Sequence, residues 1–168
     1  MQRAGGTKTN IYTHFGGKEG LFRAIIETLS QELLEPLSRM DIADLSPDKA
    51  LTVFGRKYLS VVLQEKTVGL HRLAIAQSSQ FPELGRIWHT AGPEAAYQEL
   101  ANYISKQQKL GLFKNCKPRQ AAAQFLYMLL NDIHLQLLLG LVSPPSSSET
   151  NTLVDETVET FLHGIATD

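Results

Sequence analysis

The sequence of 168 residues predicts an all-α protein, and three observations support this prediction. Apolar residues recur at helical spacing along most of the chain. Proline and glycine fall where they start or stop helices. No segment shows the strict apolar–polar alternation of a half-buried strand. With 43% hydrophobic and 20% charged residues, the composition is that of an ordinary globular protein with a sizeable core.

The N-terminal part predicts a short helix followed by a long one. Residues 4–22 indicate a turn, a short helix, a second tight turn and the start of the long helix. The long helix is predicted from Lys18 to about Leu34, because apolar residues recur there on one face. Pro36 is expected to end it.

Four helices are predicted in the middle of the chain. Ser46 and Pro47 are a strong start signal, as N-cap and first helical residue. Gly92-Pro93 marks a kink or break before the fourth helix, and Gly111 is expected to end that helix. The predicted spans are Pro47 to about Gln64, Val68 to about Gln80, Glu83 to Thr90, and a last one that ends at about Lys109.

Two long helices are predicted at the C-terminus. Pro118 opens one that runs to about Leu139 and is apolar on nearly every side. A linker over residues 143–148 precedes the last helix, predicted from about Glu149 to Ile165. One domain of this size rarely surrounds a peripheral helix completely, so a second subunit is the simplest explanation. We therefore expect a homodimer formed through the last two helices.

The composition also limits the cellular compartment and the kinds of chemistry that are expected for this protein. Cys116 is the only cysteine, which rules out an intrachain disulfide and a cysteine-rich zinc site and favours a reducing compartment, the cytoplasm. Polar residues such as Asn131 interrupt the apolar run over residues 125–142, so we expect a buried helix and no membrane contact. The histidines have no metal-ligand spacing, and no nucleophile or phosphate-cradling motif is present. Neither enzymatic activity nor a cofactor is expected.

Residues 4–22 hold the most informative pattern of the chain. The short helix predicted there presents small polar residues and a lysine at its tip, with Ile11 and Phe15 behind them. Short hydrogen-bonding side chains in front of apolar anchors suit entry into the major groove of DNA. A capped helix with a polar tip and no DNA contact would show the same residues, so the pattern alone leaves both interpretations open.

This stretch resembles the recognition helix and following segment of the TetR family of bacterial transcriptional regulators. The family shows a Gly-Val-Ser-Lys-type turn, an Ile/Leu-Tyr-x-His/Tyr-Phe core and a Ser-Lys-Glu-x-Leu helix start. The corresponding segments here are Gly5-Gly6-Thr7-Lys8, Ile11-Tyr12-Thr13-His14-Phe15 and Gly17-Lys18-Glu19-Gly20-Leu21. A second, less dense similarity to the regulatory domain of some TetR relatives comprises Leu70 to Ala76, Phe81-Pro82-Glu83-Leu84, Ala91-Gly92-Pro93 and Gly111-Leu112-Phe113.

The resemblance implies double-stranded operator DNA as a partner. Tyr12 and Lys18 resemble the phosphate-contacting Tyr and Lys of the family, and Thr7 is placed to cap the helix and donate to a phosphate. Further side chains are candidates for base contacts, with asparagine suited to adenine and lysine to guanine. These candidates are Lys8, Thr9, Asn10, Thr13 and His14.

The resemblance also implies two regions and an incomplete DNA-binding domain. Residues 1–34 are interpreted as a remnant of a helix-turn-helix domain with the linker helix, and residues 35–168 as a helical regulatory, ligand-binding and dimerisation domain. Relatives have a first helix and most of a second before the turn at Gly5-Gly6. Apolar residues such as Phe22 and Ile25 are therefore expected to lose the apolar partners that those helices provide. The first ~30 residues are expected to be mobile or rearranged, and the affinity for operator DNA is expected to be low.

A ligand pocket is expected in the second region, lined mostly by apolar and aromatic side chains. Asn131 and Asp132 are its candidate polar groups, since a buried carboxylate needs a partner. They would equally fit a pairing across the dimer interface, and the aromatic candidates would equally fit a core role. The candidate ligand contacts are Phe54, Tyr58, His71, Trp88, Tyr97, Tyr103, Phe125, Met128, Asn131 and Asp132.

These expectations combine into one functional prediction and one alternative. The prediction is a TetR-type DNA-binding regulator, a repressor released from its operator by a small apolar or amphipathic effector. The helix that begins at Lys18 would transmit the effector signal to the DNA-binding end. The alternative is a dimerisation and ligand-binding module that lacks specific DNA binding because the first helices are missing.

Overall fold

The structure is a computed structural model that describes residues 14–165, apart from a few side chains in the first and last helices. Within this range the chain is helical, with connecting turns and no β-strand, which confirms the predicted all-α class. The elements are α1 (Lys18–Ser38), α2 (Pro47–Val62), α3 (Glu65–Ser78), α4 (Pro82–His89), a π-helix (Thr90–Glu94), α5 (Ala95–Lys109), α6 (Pro118–Leu139) and α7 (Ser147–Ile165).

Several helices begin and end at the predicted residues. Pro47 and Pro118 occupy the first positions of α2 and α6, where a missing N–H is not needed. Gly111 follows α5 with a φ of 75°, and the next residue donates its N–H to the carbonyl of Gln107 at 3.0 Å. This left-handed turn is the usual way to end a helix at glycine. The predicted boundaries of α6 are confirmed at both ends.

The prediction that Pro36 ends the first long helix is wrong. Helix α1 continues to Ser38, and the N–H of Arg39 still donates to the carbonyl of Glu35 at 3.3 Å. Leu37, just beyond the proline, is 3% exposed and packs in the main core. Burial of this side chain offsets the unfavourable proline, because a fully buried leucine contributes about 1.5–3 kcal/mol.

The other boundaries differ by small shifts. Gly92-Pro93 lies within the π-helix, so the chain widens its turn there and passes directly from α4 into α5. Helix α7 starts before the predicted Glu149, because Ser146 and Glu149 form a reciprocal cap. The backbone N–H of Ser146 donates to the Glu149 carboxylate at 2.8 Å, and the N–H of Glu149 donates to Ser146 Oγ at 3.3 Å.

The core has two parts. The main cluster joins α2, α5, α6 and α7, and its fully buried side chains include Phe54, Leu100, Phe125 and Val154. In that cluster α5 packs along α6, and α2 packs along α7. Among the described residues, no helix is both long enough and apolar enough to cross a membrane.

A smaller cluster attaches α1 to α3 and α4. Ile26 is completely buried there against Leu70 and Leu84, and Phe22 and Ile25 pack around it. The expectation that Phe22 and Ile25 lack apolar partners is therefore wrong. Helices α3 and α4 supply those partners, because α1 lies across α4 and the π-helix.

Candidate functional site

A cavity of about 350 Å³ lies among the helices, and every element from α1 to α6 contributes to its wall. Most of the lining is apolar or aromatic, as expected for a site that holds a small organic molecule. The lining residues are Leu37, Tyr58, Val61, Val62, Thr67, His71, Gly85, Trp88, His89, Gly92, Pro93, Ala96, Tyr97, Tyr127, Leu130 and His134.

Aromatic rings dominate one side of the cavity. The ring of His71 lies between those of Trp88 and His134, with centroids 5.2 Å from each. Tyr97 and Tyr127 form another pair, with centroids 6.1 Å apart. Flat rings at these separations offer faces and edges on which a planar ligand can pack.

Two of the three histidines that line the cavity, His71 and His134, are held in their neutral forms. Burial, and then the neighbouring His71, lowers the pKa of His134 to about 4. Burial alone lowers the pKa of His71. Burial disfavours the charged form of an imidazole, so both rings are neutral at physiological pH. Among the described residues that line the cavity there is no Asp, Glu, Lys or Arg.

Two polar groups of the cavity wall differ in their hydrogen bonding. The hydroxyl of Thr67 is buried and donates to the carbonyl of Val61 at 2.7 Å. His134 is also buried, but its Nε2 has no hydrogen-bond partner within the described part of the chain. Thr67 is therefore satisfied by the fold, and His134 is not.

An ion pair ties the π-helix to the start of α6 beside the cavity. Arg119 Nε donates to the Glu94 carboxylate at 2.8 Å, and a second Arg119 nitrogen contacts the other carboxylate oxygen. The guanidinium also lies 5.2 Å from the ring centroid of Tyr97. The hydrogen bond from Arg119 lowers the pKa of Glu94. Burial and a hydrogen bond with Tyr127 raise the pKa of Tyr97, which keeps this hydroxyl protonated.

Helix α1 contributes to the cavity through its C-terminal end. Leu37 is both part of the main core and part of the cavity wall. The same helix packs against α4 and the π-helix, which carry the lining residues Trp88 and Pro93. A molecule in the cavity would therefore touch the helix that follows the candidate DNA-contacting segment.

The predicted ligand contacts fall into three locations. Tyr58, His71, Trp88 and Tyr97 line the cavity together. Three others are buried in the protein but do not line the cavity. Of these, Phe125 packs on Phe161 with ring centroids 5.0 Å apart, and Tyr103 donates its hydroxyl to the carbonyl of Leu45 at 2.9 Å. The buried three are Phe54, Tyr103 and Phe125.

The remaining predicted contacts, Met128, Asn131 and Asp132, are on the opposite face of α6. Met128 and Asn131 line an open groove between α6 and α7. Asp132 is exposed, and its carboxylate accepts a hydrogen bond from Gln136. None of the three lines the cavity.

The sequence-based list did not include Tyr127, Leu130 and His134. These residues are three and four positions apart, so they share one face of α6 and point to the cavity together. That spacing was the available signal. It was masked because α6 is apolar all round, and the polar Asn131 and Asp132 drew the prediction to a part of α6 that does not line the cavity.

The groove between α6 and α7 is wide and open to solvent. It is lined by Gln124, Tyr127, Met128, Asn131, Leu153, Glu156, Thr157, Thr160, Phe161 and Gly164. Exposed apolar side chains continue beyond it at the end of α6, where Leu135 and Leu139 are more than half exposed. Such a surface is suited to a partner helix pair.

Most of the predicted DNA contacts lie outside the described residues. These are Thr7, Lys8, Thr9, Asn10, Tyr12 and Thr13. His14 is described and exposed, with its ring edge-on to Phe15 at 4.9 Å. Lys18 is the first residue of α1, but its side chain is not described.

Comparison with known families decides the identity of the regulatory part. Residues 49–164 match the family model for the C-terminal domain of AefR-like transcriptional repressors. The chain belongs to the TetR family of transcriptional regulators. The resemblance noted in the sequence is thereby confirmed, and the matched segment is the ligand-binding domain of a TetR regulator.

Solved structures agree with this family. A protein described as a TetR-family regulator from Mesorhizobium loti is 26% identical, with a TM-score of 0.86 over 98% of this chain and 83% of that one. The flavonoid-responsive regulator FrrA is 27% identical, with a TM-score of 0.78 over 97% and 82%. A TetR regulator from Agrobacterium tumefaciens shares the fold at 23% identity, with a TM-score of 0.79 over 97% and 80%. No curated protein sequence matches this TetR-family chain.

Proposed function

We propose that this TetR-family protein is a dimeric repressor that a small apolar or amphipathic effector releases from operator DNA. One observation carries the proposal. The cavity in the ligand-binding domain has Leu37 of α1 in its wall, so the effector would contact the helix that leads to the DNA-binding end.

The proposed signal passes through α1. This helix packs on α4 and the π-helix, and both border the cavity with residues such as Trp88 and Pro93. An effector that favours a wider spacing of these elements would change the position of α1. The effector shifts the equilibrium only by its preference for one arrangement over the other.

The proposed dimer uses the groove between α6 and α7. Its open shape and apolar floor, including Met128 and Phe161, support a second copy as the occupant. Two recognition helices about 34–36 Å apart would then enter successive major grooves of the operator. The DNA contacts would come from the segment Thr7 to His14 and from Lys18, as the family resemblance implies.

Aromatic compounds are the first effectors to test. The lining rings of Tyr58, Trp88 and Tyr97 favour them. The related FrrA is described as flavonoid-responsive, which makes flavonoids a reasonable starting panel.

Trp88 provides a direct measurement of effector binding. It is the only tryptophan of the chain, and it lines the cavity. We expect a binding flavonoid to change its fluorescence and, over the same concentration range, to release a retarded genomic DNA fragment in a gel-shift titration. Fluorescence changes without DNA release would contradict the coupling, and the absence of any retarded fragment would contradict the operator function.

A pair of leucine variants separates the cavity from general effects. Leu130→Phe narrows the cavity, and it should weaken effector binding about 10-fold while DNA binding without effector persists. Leu110→Phe makes the same change at an exposed position after α5 that lines neither the cavity nor the groove, and it should leave effector binding unchanged. Equal behaviour of the two variants would place the effector elsewhere.

A further inference from the structure

One buried polar atom in the cavity wall is left unsatisfied by the fold. His134 is 9% exposed and lines the cavity, and its Nε2 forms no hydrogen bond with any described residue. Buried polar atoms are paired in the great majority of cases, and an unpaired one lowers stability. An unpaired atom beside an internal cavity is therefore suited to pair with a bound molecule.

We propose that His134 is the polar anchor of the effector site, and that the effector is an uncharged, flat aromatic molecule whose hydroxyl group hydrogen-bonds to Nε2. This inference rests on the effector role proposed above and adds the chemistry that the cavity selects. Among the buried side-chain nitrogen and oxygen atoms of the described wall, only Nε2 of His134 has no hydrogen-bond partner. The hydroxyl of Thr67, for example, already donates to the carbonyl of Val61.

The size and the walls of the cavity define the body of the ligand. Its volume of about 350 Å³ is more than twice the roughly 150 Å³ that accommodates benzene in an engineered protein cavity. The neighbouring rings of Trp88, His71 and His134 form part of the wall, with centroid spacings of 5.2 Å and planes tilted by 36° and 31°. A ligand of two or three flat rings fits this volume and can pack on these rings.

The electrostatics of the cavity favour an uncharged ligand. No Asp, Glu, Lys or Arg is found among the described lining residues, so a charged group would be buried without a counter-ion. Of the three lining histidines, His71 and His134 do not supply one, because burial lowers the pKa of both rings, and His89 is exposed to solvent.

A hydroxyl is the group that best satisfies His134. A neutral imidazole carries one proton, so Nε2 is a donor in one tautomer and an acceptor in the other. A hydroxyl both donates and accepts, and it therefore pairs with Nε2 in either tautomer. An ether or a carbonyl pairs with only one tautomer, and a hydrocarbon with neither.

Two probes of nearly equal shape test the anchor. 2-Naphthol and 2-methylnaphthalene differ only by a hydroxyl against a methyl group, and calorimetric titration gives a Kd for each. The test quantity is the ratio of the Kd of 2-methylnaphthalene to the Kd of 2-naphthol. We expect this ratio to fall about 10-fold in His134→Phe, which removes both ring nitrogens. His134→Gln keeps a hydrogen-bonding side chain, and it should hold the ratio within about threefold of wild type.

His71→Phe is the matched control, because it makes the same chemical change in the neighbouring ring of the same cavity. It should leave the ratio unchanged, and circular dichroism checks that all variants are folded. A ratio unaffected in His134→Phe while both probes bind would overturn the anchor and leave the effector cavity in place. A ratio that falls in His71→Phe and not in His134→Phe would also overturn it. Failure of wild type to bind either probe would overturn the effector cavity itself and this inference with it.

Discussion

A single strained residue interrupts the longest helix. Asn131 has a φ of 43° and a ψ of −156° in the middle of α6, and it is the only described residue other than glycine with a positive φ. Its side-chain oxygen accepts the N–H of Asp132 at 2.6 Å, which supports the local turn. Backbone in this region is costly for any residue with a Cβ, by about 1–3 kcal/mol.

Replacing Asn131 by glycine should therefore stabilise the protein. Asn131→Gly removes the Cβ strain, and the gain exceeds the flexibility that glycine adds to the unfolded chain, so we expect a net increase of about 1 kcal/mol. The lost hydrogen bond is exposed, and water replaces it. Urea unfolding measures the change.

The matched comparison for Asn131→Gly is Gly140→Ala at the end of the same helix. Gly140 has a φ of 73°, and an added Cβ would meet only Arg72 at an ordinary distance of 3.6 Å. The alanine should thus lower the unfolding free energy by about 1 kcal/mol through strain alone. A destabilised Asn131→Gly would show that the turn at this residue is not strained.

At the scale of helices, α6 and α7 carry the proposed dimer interface. Thr160 of α7 lines the groove, whereas Thr152, two turns earlier on the same helix, is exposed and does not line it. Both residues are threonines on the same helix. Placing an arginine at each position in turn therefore compares the same substitution inside and outside the groove.

Thr160→Arg should give a monomer, because a large charged side chain buried in the interface opposes association. Thr152→Arg should leave the dimer intact. Analytical ultracentrifugation distinguishes the 18.6 kDa chain from a species of twice that mass. Two dimeric variants would move the interface away from this groove.

The helices themselves were largely predictable, because proline, glycine and apolar spacing act locally. Pro47, Pro118 and Gly111 mark their boundaries as expected. Pro36 did not, since the burial of Leu37 is a tertiary effect that no local signal records. The π-helix at Gly92-Pro93 likewise depends on the packing of α4 and α5 against α1.

The candidate site was predictable only in part. Tyr58, His71, Trp88 and Tyr97 were selected as aromatic residues in a predicted regulatory domain, and the structure brings them to one cavity. His134 was not selected, because a helix that is apolar on every side does not reveal which face meets a cavity. The role proposed for His134 depends on an unpaired nitrogen, which only the structure can show.

At the scale of the whole molecule, the buried histidines link stability to pH. The pKa of His134 is lowered to about 4 by burial and by His71, from an ordinary value of 6.5. Between these values the unfolded chain binds a proton that the folded chain does not, so folding loses stability as the pH falls. The contribution of neutral His134 to folding stability is fully present above about pH 6.5, and it is lost progressively as the pH falls toward about 4.

We therefore expect the Tm to fall between pH 7 and pH 5, and to fall less in His134→Phe, which has no proton to gain. Differential scanning calorimetry at the two pH values measures both changes. His163→Phe, on an exposed position of α7, should retain the full decrease. A decrease of the same size in His134→Phe would assign the acid sensitivity to other groups.

Helix α6 is a wall shared by two compartments. Tyr127 borders both the cavity and the groove, with Leu130 and His134 on the inner side and Met128 and Asn131 on the outer side. An effector in the cavity and a second copy in the groove would contact the same helix, so we expect the proposed effector binding and the proposed dimerisation to be linked. If effector favours the associated state, dilution must weaken its apparent affinity, and an effector titration run at two protein concentrations would give two different midpoints.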